Sequence, residues 1–151
     1  MFKGFSHSAQ GTSHIEKKLP CQDSVAHYES DTLGIAVVSD GHGSEKHFRS
    51  ATGSKIATDI SIQAIKEFIT KEDEYIDAIF SSTDKILNQL ESNIIYRWTE
   101  EVHRHFNENP LTEEEKVLHG DVNLERVTRT YGATLIAAVM TEKYWFALQI
   151  G

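Results

Sequence analysis

Two short apolar runs around a polar turn open the patterned part of the chain. Residues 24–28 alternate loosely, Glu29-Ser30-Asp31-Thr32 are polar, and residues 33–39 carry Ile35, Ala36, Val37 and Val38, a run of the kind found in a buried strand. That spacing predicts an antiparallel hairpin, in which the start of the first strand lies beside the end of the second, so that Asp23 and Asp40 share one end. Pro20 excludes a helix interior just upstream and restricts Leu19 to extended geometry. The Phe, Gly, Ser and Thr of residues 1–14 read as an edge strand with a turn.

Beyond Ser44 the period changes. Phe48, Ala51, Ile56, Ala57, Ile60, Ala64, Ile65 and Phe68 recur every three or four positions, the apolar stripe of a helix over residues 45–69 whose one weak point is Gly53. Lys71-Glu72-Asp73-Glu74 interrupts the stripe. It resumes at Ile76, Ile79, Phe80, Ile86, Leu87, Leu90, Ile94, Trp98, Val102 and Phe106, predicting one longer helix over residues 74–107. So short a break predicts that the two long helices pack antiparallel. Residues 107–129, polar and acidic around Pro110 and Gly120, read as an exposed connection with a short helix at 112–119 capped by Thr112. Residues 132–140 and 144–151, either side of Thr141-Glu142-Lys143, read as a second hairpin with a buried face. The elements amount to an α+β chain. Its pattern runs to Gly151 without a polar tail, which reads as the first part of a longer domain.

Composition restricts the partners. With 151 residues, a formal charge of −8 and a pI near 5.4, and with no basic cluster along the sequence, the chain is set against nucleic acid and anionic membrane surfaces. No apolar run approaches the ~20 residues of a membrane span, and no signal-peptide pattern opens the chain. A lone cysteine, Cys21, forms no internal disulfide, which agrees with a reducing compartment. The expectation is a cytoplasmic protein.

Chemistry concentrates where the apolar run ends. Asp40 is followed by Gly41, His42 and Gly43, and a carboxylate at the end of a buried strand calls for a positive partner: a metal ion, a helix N-terminus or a basic side chain. The flanking glycines let backbone turn sharply and approach a ligand. Asp40 thus either joins a metal or phosphate site or caps the following helix. Asp23 would add a second hard oxygen donor of the kind Mg²⁺ or Mn²⁺ takes. His47 has no cysteine or His-Glu-x-x-His partner that would make a zinc site. Val102-His103-Arg104-His105 reads as a solvent face near a helix end, and Trp98 and Phe106 read as core.

The order of these features resembles the metal-dependent serine/threonine protein phosphatases of type 2C. The matching pieces are Gln22-Asp23-Ser24, Val38-Ser39-Asp40-Gly41-His42-Gly43, Gly132-Ala133-Thr134 and Leu148-Gln149-Ile150-Gly151. The resemblance implies that residues 1–151 form the N-terminal part of a four-layer αββα sandwich of antiparallel sheets, with the two long helices as one outer layer. It implies that the chain stops before the later metal-binding aspartates, so that this stretch alone is inactive or nearly so and its partner is the missing part of the same domain. It also implies a full-length enzyme that hydrolyses phosphoserine and phosphothreonine in phosphoproteins with two Mg²⁺ or Mn²⁺ ions. Position by position, Asp40 matches the metal-bridging aspartate, Gly41 the residue whose carbonyl binds a metal, His42 the general acid, Asp23 the second acid of a Glu-Asp pair, and Lys18 the phosphate-binding arginine. Gln22 departs from the glutamate of that pair, and Lys18 keeps the charge of the arginine without its fork. Two other readings stand beside this one. The first is a catalytically inert family member acting as a binding or regulatory module, which Gln22 and Lys18 support. The second is an unrelated binding domain in which Asp40 only caps a helix.

Overall fold

The structure, a computed structural model, describes residues 1–16 and 20–151. The first residues form no strand: an irregular segment leads to a short helix, α1 (Thr12–Glu16). Glycine and serine have little strand preference, and of this segment's apolar side chains only Phe2 is half-buried, against Gly34. It is held by the Phe2 N–H donated to the Ser30 carbonyl at 3.2 Å, the Gly4 N–H donated to the Glu29 carboxylate, and a 2.9 Å bond between Ser6 Oγ and His27 Nδ1.

The hairpin forms as the pattern predicts, β1 (Ser24–Glu29) pairing antiparallel with β2 (Leu33–Ser39) in the register Ser24 to Ser39. The second hairpin, β3 (Leu135–Thr141) and β4 (Trp145–Ile150), joins it through β2 and β3, giving one antiparallel sheet in the order β1-β2-β3-β4. Leu33, Ile35, Val37, Leu135, Ala137, Val139, Phe146 and Leu148 are buried on one face. Ala36, Val38, Ile136 and Met140 alternate onto the other and are exposed, so the apolar run of β2 is covered on one side only among the described residues.

Two long helices cover the buried face. The first is α2 (Ser50–Thr70), which begins five residues later than the stripe predicts, after a single 3-10 turn at Glu45–His47. The reason is Arg49, whose N–H leaves the helical pattern to donate to the Thr130 carbonyl at 2.9 Å. The second stripe is divided. A 3-10 turn (Glu72–Glu74) and α3 (Ile76–Ser81) are separated from α4 (Thr83–Glu108) by Ser82, at φ −147°, ψ 46°. Three successive hydroxyl residues, Ser81, Ser82 and Thr83, compete for backbone there; Ser81 Oγ donates to the Asp77 carbonyl and Thr83 Oγ1 to that of Ile79. The helices are antiparallel, Gly53 and Ile56 meeting Trp98 and Val102 while Phe68 shares a pocket with Leu87. Two bonds of 3.0 and 2.6 Å from Arg97 to Glu67 tie their outer edges.

The polar connection contains α5 (Glu113–His119), with the predicted cap: Thr112 Oγ1 accepts from the Glu115 N–H and the Glu115 carboxylate accepts from the Thr112 N–H. It also contains a helix the sequence reading took as connection, α6 (Leu124–Thr130), capped by Asn123. Val127 and Tyr131, four apart, are fully buried with Ile56 and Val102 in a second core cluster. The cap and that spacing were the available signals. Among the described residues no helix is long and apolar enough to cross a membrane.

Candidate functional site

The site forms where β1 begins and β2 ends. With Ser24 opposite Ser39, continuation of the register sets Asp23 opposite Asp40. Both are exposed at the sheet end, and both line a cavity of about 590 Å³ with Gln22, Gly41, Gly43 and Thr134. Asp40 is not buried as the reading of β2 as a doubly covered strand implied. It follows Ala36 and Val38 onto the open face, where solvent reaches it, so it needs no protein cation as partner.

The backbone around Asp40 is clamped on three sides. Thr134 N–H donates to the Asp40 carbonyl at 2.8 Å, His42 N–H donates to the Gly132 carbonyl at 3.0 Å, and Ser39 Oγ donates to the Thr134 carbonyl at 2.6 Å. The first two bonds close a bridge between Gly41 and Ala133 and leave the Gly41 carbonyl outside it. Gly41 has no room for a side chain, since a β-carbon would lie 2.4 Å from the Gln22 carbonyl oxygen and 2.9 Å from that of Ser50. Gly132 is needed for a related reason: a β-carbon there would come within 2.8 Å of both the His42 and His47 rings. The Gly132-Ala133-Thr134 motif thus shapes the site without carrying chemistry.

A polar stripe on α2 holds the other half. Ser50, Ser54, Thr58 and Ser61 are fully buried, and three of them bond the start of β1. Gln22 Nε2 donates to Ser50 Oγ at 3.0 Å, Ser54 Oγ donates to the Gln22 carbonyl at 2.5 Å, and Ser24 and Thr58 share a 3.0 Å bond. Sequence reading passed over this stripe, although its four-residue spacing marks one helix face. A further clamp, Arg49, donates to the Glu115 carboxylate (2.9 and 2.7 Å), the Asn109 carbonyl (2.6 Å) and Tyr131 Oη (2.9 Å). Tyr131 Oη in turn lies 2.8 Å from His105 Nδ1. His105, read as solvent face, belongs to this network.

The His42 ring lies 4.7 Å from that of His47, tilted by 45°. Burial, then the neighbouring His42, Arg129 and Lys46, hold the His47 pKa below its ordinary value. Both rings pack against Gly132, and His42 sits between Gly41 and Gly43, which line the carboxylate cavity. Lys18, expected at the phosphate, lies outside the described residues.

Asp23, Asp40 and the Gly41 carbonyl are hard oxygen donors around open space, a set that fits a cation keeping most of its waters, as Mg²⁺ does. They are few: among the described residues no group of three or more His, Cys, Asp or Glu side chains gathers to hold a metal. Compared with known proteins, residues 10–151 match the sequence model of a family described as protein phosphatase 2C. No curated protein and no solved structure matches the chain.

Proposed function

This chain belongs to the protein phosphatase 2C family, and on that premise we propose that its site serves the hydrolysis of phosphoserine and phosphothreonine esters in proteins with Mg²⁺ or Mn²⁺. The observation that carries the reading is the meeting of Asp23, Asp40 and the Gly41 carbonyl at one cavity. Asp40 and the Gly41 carbonyl would hold the metal, with Asp23 joining directly or through water. When bound, two such ions supply an activated water and neutralise charge growing on the phosphoryl oxygens. His42 gives its proton to the departing serine or threonine oxygen. Lys18 positions the phosphoryl group. The open sheet face with Val38, Ile136 and Met140 is apolar enough to take a second sheet, as in the αββα sandwich, and further acids presented there would complete the metal set.

A second reading, a catalytically inert binding or regulatory module, is favoured by Gln22. Its neutral amide is already committed to Ser50, so the pair it forms with Asp23 holds a metal less firmly. Metal-dependent hydrolysis of a phosphopeptide separates the two. Turnover that needs Mg²⁺ or Mn²⁺ and is lost in Asp40→Asn supports the enzyme; unmeasurable turnover in the full-length protein at saturating metal supports the module. For residues 1–151 alone, three donors predict weak metal binding by calorimetry, with a Kd of roughly 1 mM or weaker. Tight binding would mean that these residues complete the site.

A further inference from the structure

Within this chain of formal charge −8, one cavity of about 260 Å³ is lined by three cations, Lys46, Arg126 and Arg129. Lys46 belongs to the turn after Gly43, while Arg126 and Arg129 stand one turn apart on α6, some eighty residues away in sequence and hence invisible as a basic cluster along the chain. Stacked rings of Phe48 and His119, 4.0 Å apart and 2° from parallel, form another wall, and Glu45 is its acidic member among the described side chains.

Two features set these cations apart from ordinary surface charge. Arg49, Arg97 and Arg104 each grip a carboxylate, whereas Arg126, Arg129 and Lys46 form no ion pair with a described residue. Their platform is also fixed, because another side of α6 buries Val127 and continues into fully buried Tyr131. Position adds a third. The Arg129 carbonyl and the rings of His42 and His47 all crowd Gly132, and the Lys46 and Arg129 charges act on His47, so the cations of the cleft lie near the Gly41-His42-Gly43 turn, whose two glycines line the carboxylate cavity. At about 260 Å³ the cavity falls just below the ~300–1,000 Å³ usual for small-molecule sites, which suits one charged side chain better than a nucleotide.

We propose that this cleft binds a second anionic group of the phosphoprotein substrate, a phosphoryl group on a residue near the one being hydrolysed. Two arginine forks match phosphoryl oxygens better than a lone carboxylate, and a cationic cleft beside the reaction centre raises the local concentration of such substrates on an otherwise acidic protein. The proposal rests on the phosphatase reading for its substrate but not for its binding chemistry.

Calorimetry in EDTA tests it on the full-length protein, with a phosphoserine peptide, the same peptide carrying a second phosphate at successive positions on either side, and the same set with glutamate there instead. At the favoured spacing the second phosphate is expected to tighten binding at least tenfold. Arg126→Ala with Arg129→Ala should erase that gain while leaving the melting temperature and the affinity for the singly phosphorylated peptide unchanged; Arg126→Lys with Arg129→Lys should keep part of it. A gain absent at every spacing, or retained in the double alanine variant, overturns the proposal, and a glutamate gain equal to that of phosphate overturns the phosphoryl assignment. Hydrolysis of p-nitrophenyl phosphate with Mn²⁺, run in parallel, tests the enzyme reading separately. No hydrolysis with a persisting tenfold gain sinks the phosphatase and keeps the cleft, and hydrolysis with no gain does the reverse.

Discussion

Gly53 on α2 faces the Tyr131 carbonyl so closely that a β-carbon on it would lie 1.8 Å from that oxygen. By helix preference alone, alanine at this position gains about 1 kcal/mol. The contact decides the other way, since the obstacle is backbone anchored in a buried cluster, and overpacking of this kind costs about 3 kcal/mol or more. Gly53→Ala is therefore expected to lower the urea midpoint; a variant as stable as the parent would show that α2 and α6 can move apart.

Arg49 and Glu115 predict a second effect. Hydrogen bonds from Arg49, above all, hold the Glu115 carboxyl below the ordinary range of 4.5. The ionised form is thus favoured in the folded state, and its contribution is present above that range and lost as pH falls through the lowered folded value. Glu115→Gln should cost about 2 kcal/mol at neutral pH and remove that part of the acid sensitivity. Because Glu115 also caps α5, amide exchange should accelerate there first.

His105 acts with the opposite charge and the same sign in pH. Arg49 Nη1 donates to Tyr131 Oη, which leaves the phenol proton free to be donated to a neutral His105 Nδ1. Burial, then Arg49 and Arg104, push the His105 pKa below 6.5, against a smaller pull from Glu108 and Glu101. The unfolded chain therefore takes up the proton first. Stability is full above about 6.5 and falls as pH drops from there toward the folded value, with His47 contributing in the same direction. His105→Gln should flatten this decline in melts taken at stepped pH, and an unchanged slope would remove His105 from the effect.

On the proposed phosphatase reading, His42→Ala should slow hydrolysis of phosphopeptides by about 10²–10⁴-fold and affect p-nitrophenyl phosphate less, since its leaving group hardly needs a proton. Equal losses on both substrates would leave His42 a positioning role, through its contact with His47.

The sequence by itself determined the two hairpins, the two helical stripes, the Thr112 cap and the shared end of Asp23 and Asp40, because each follows from a local period or from the antiparallel register of adjacent strands. The division of the second stripe at Ser82 was also written locally, in three consecutive hydroxyl residues, but an apolar period says nothing about competing backbone bonds. What only the tertiary structure decided depends on residues far apart in the chain. Gly53 is a weak helix residue until Tyr131 arrives against it. Asp40 ends a doubly buried run on the pattern and a solvent-reached edge in the fold, since one-sided cover of a sheet is settled by the layer opposite. Lys46 becomes part of a basic cleft only when α6, a helix concealed in a polar connection, brings Arg126 and Arg129 to it. Local sequence carries the dihedral and periodic preferences that make elements; close approaches and summed charge arise between elements, and those shape the site.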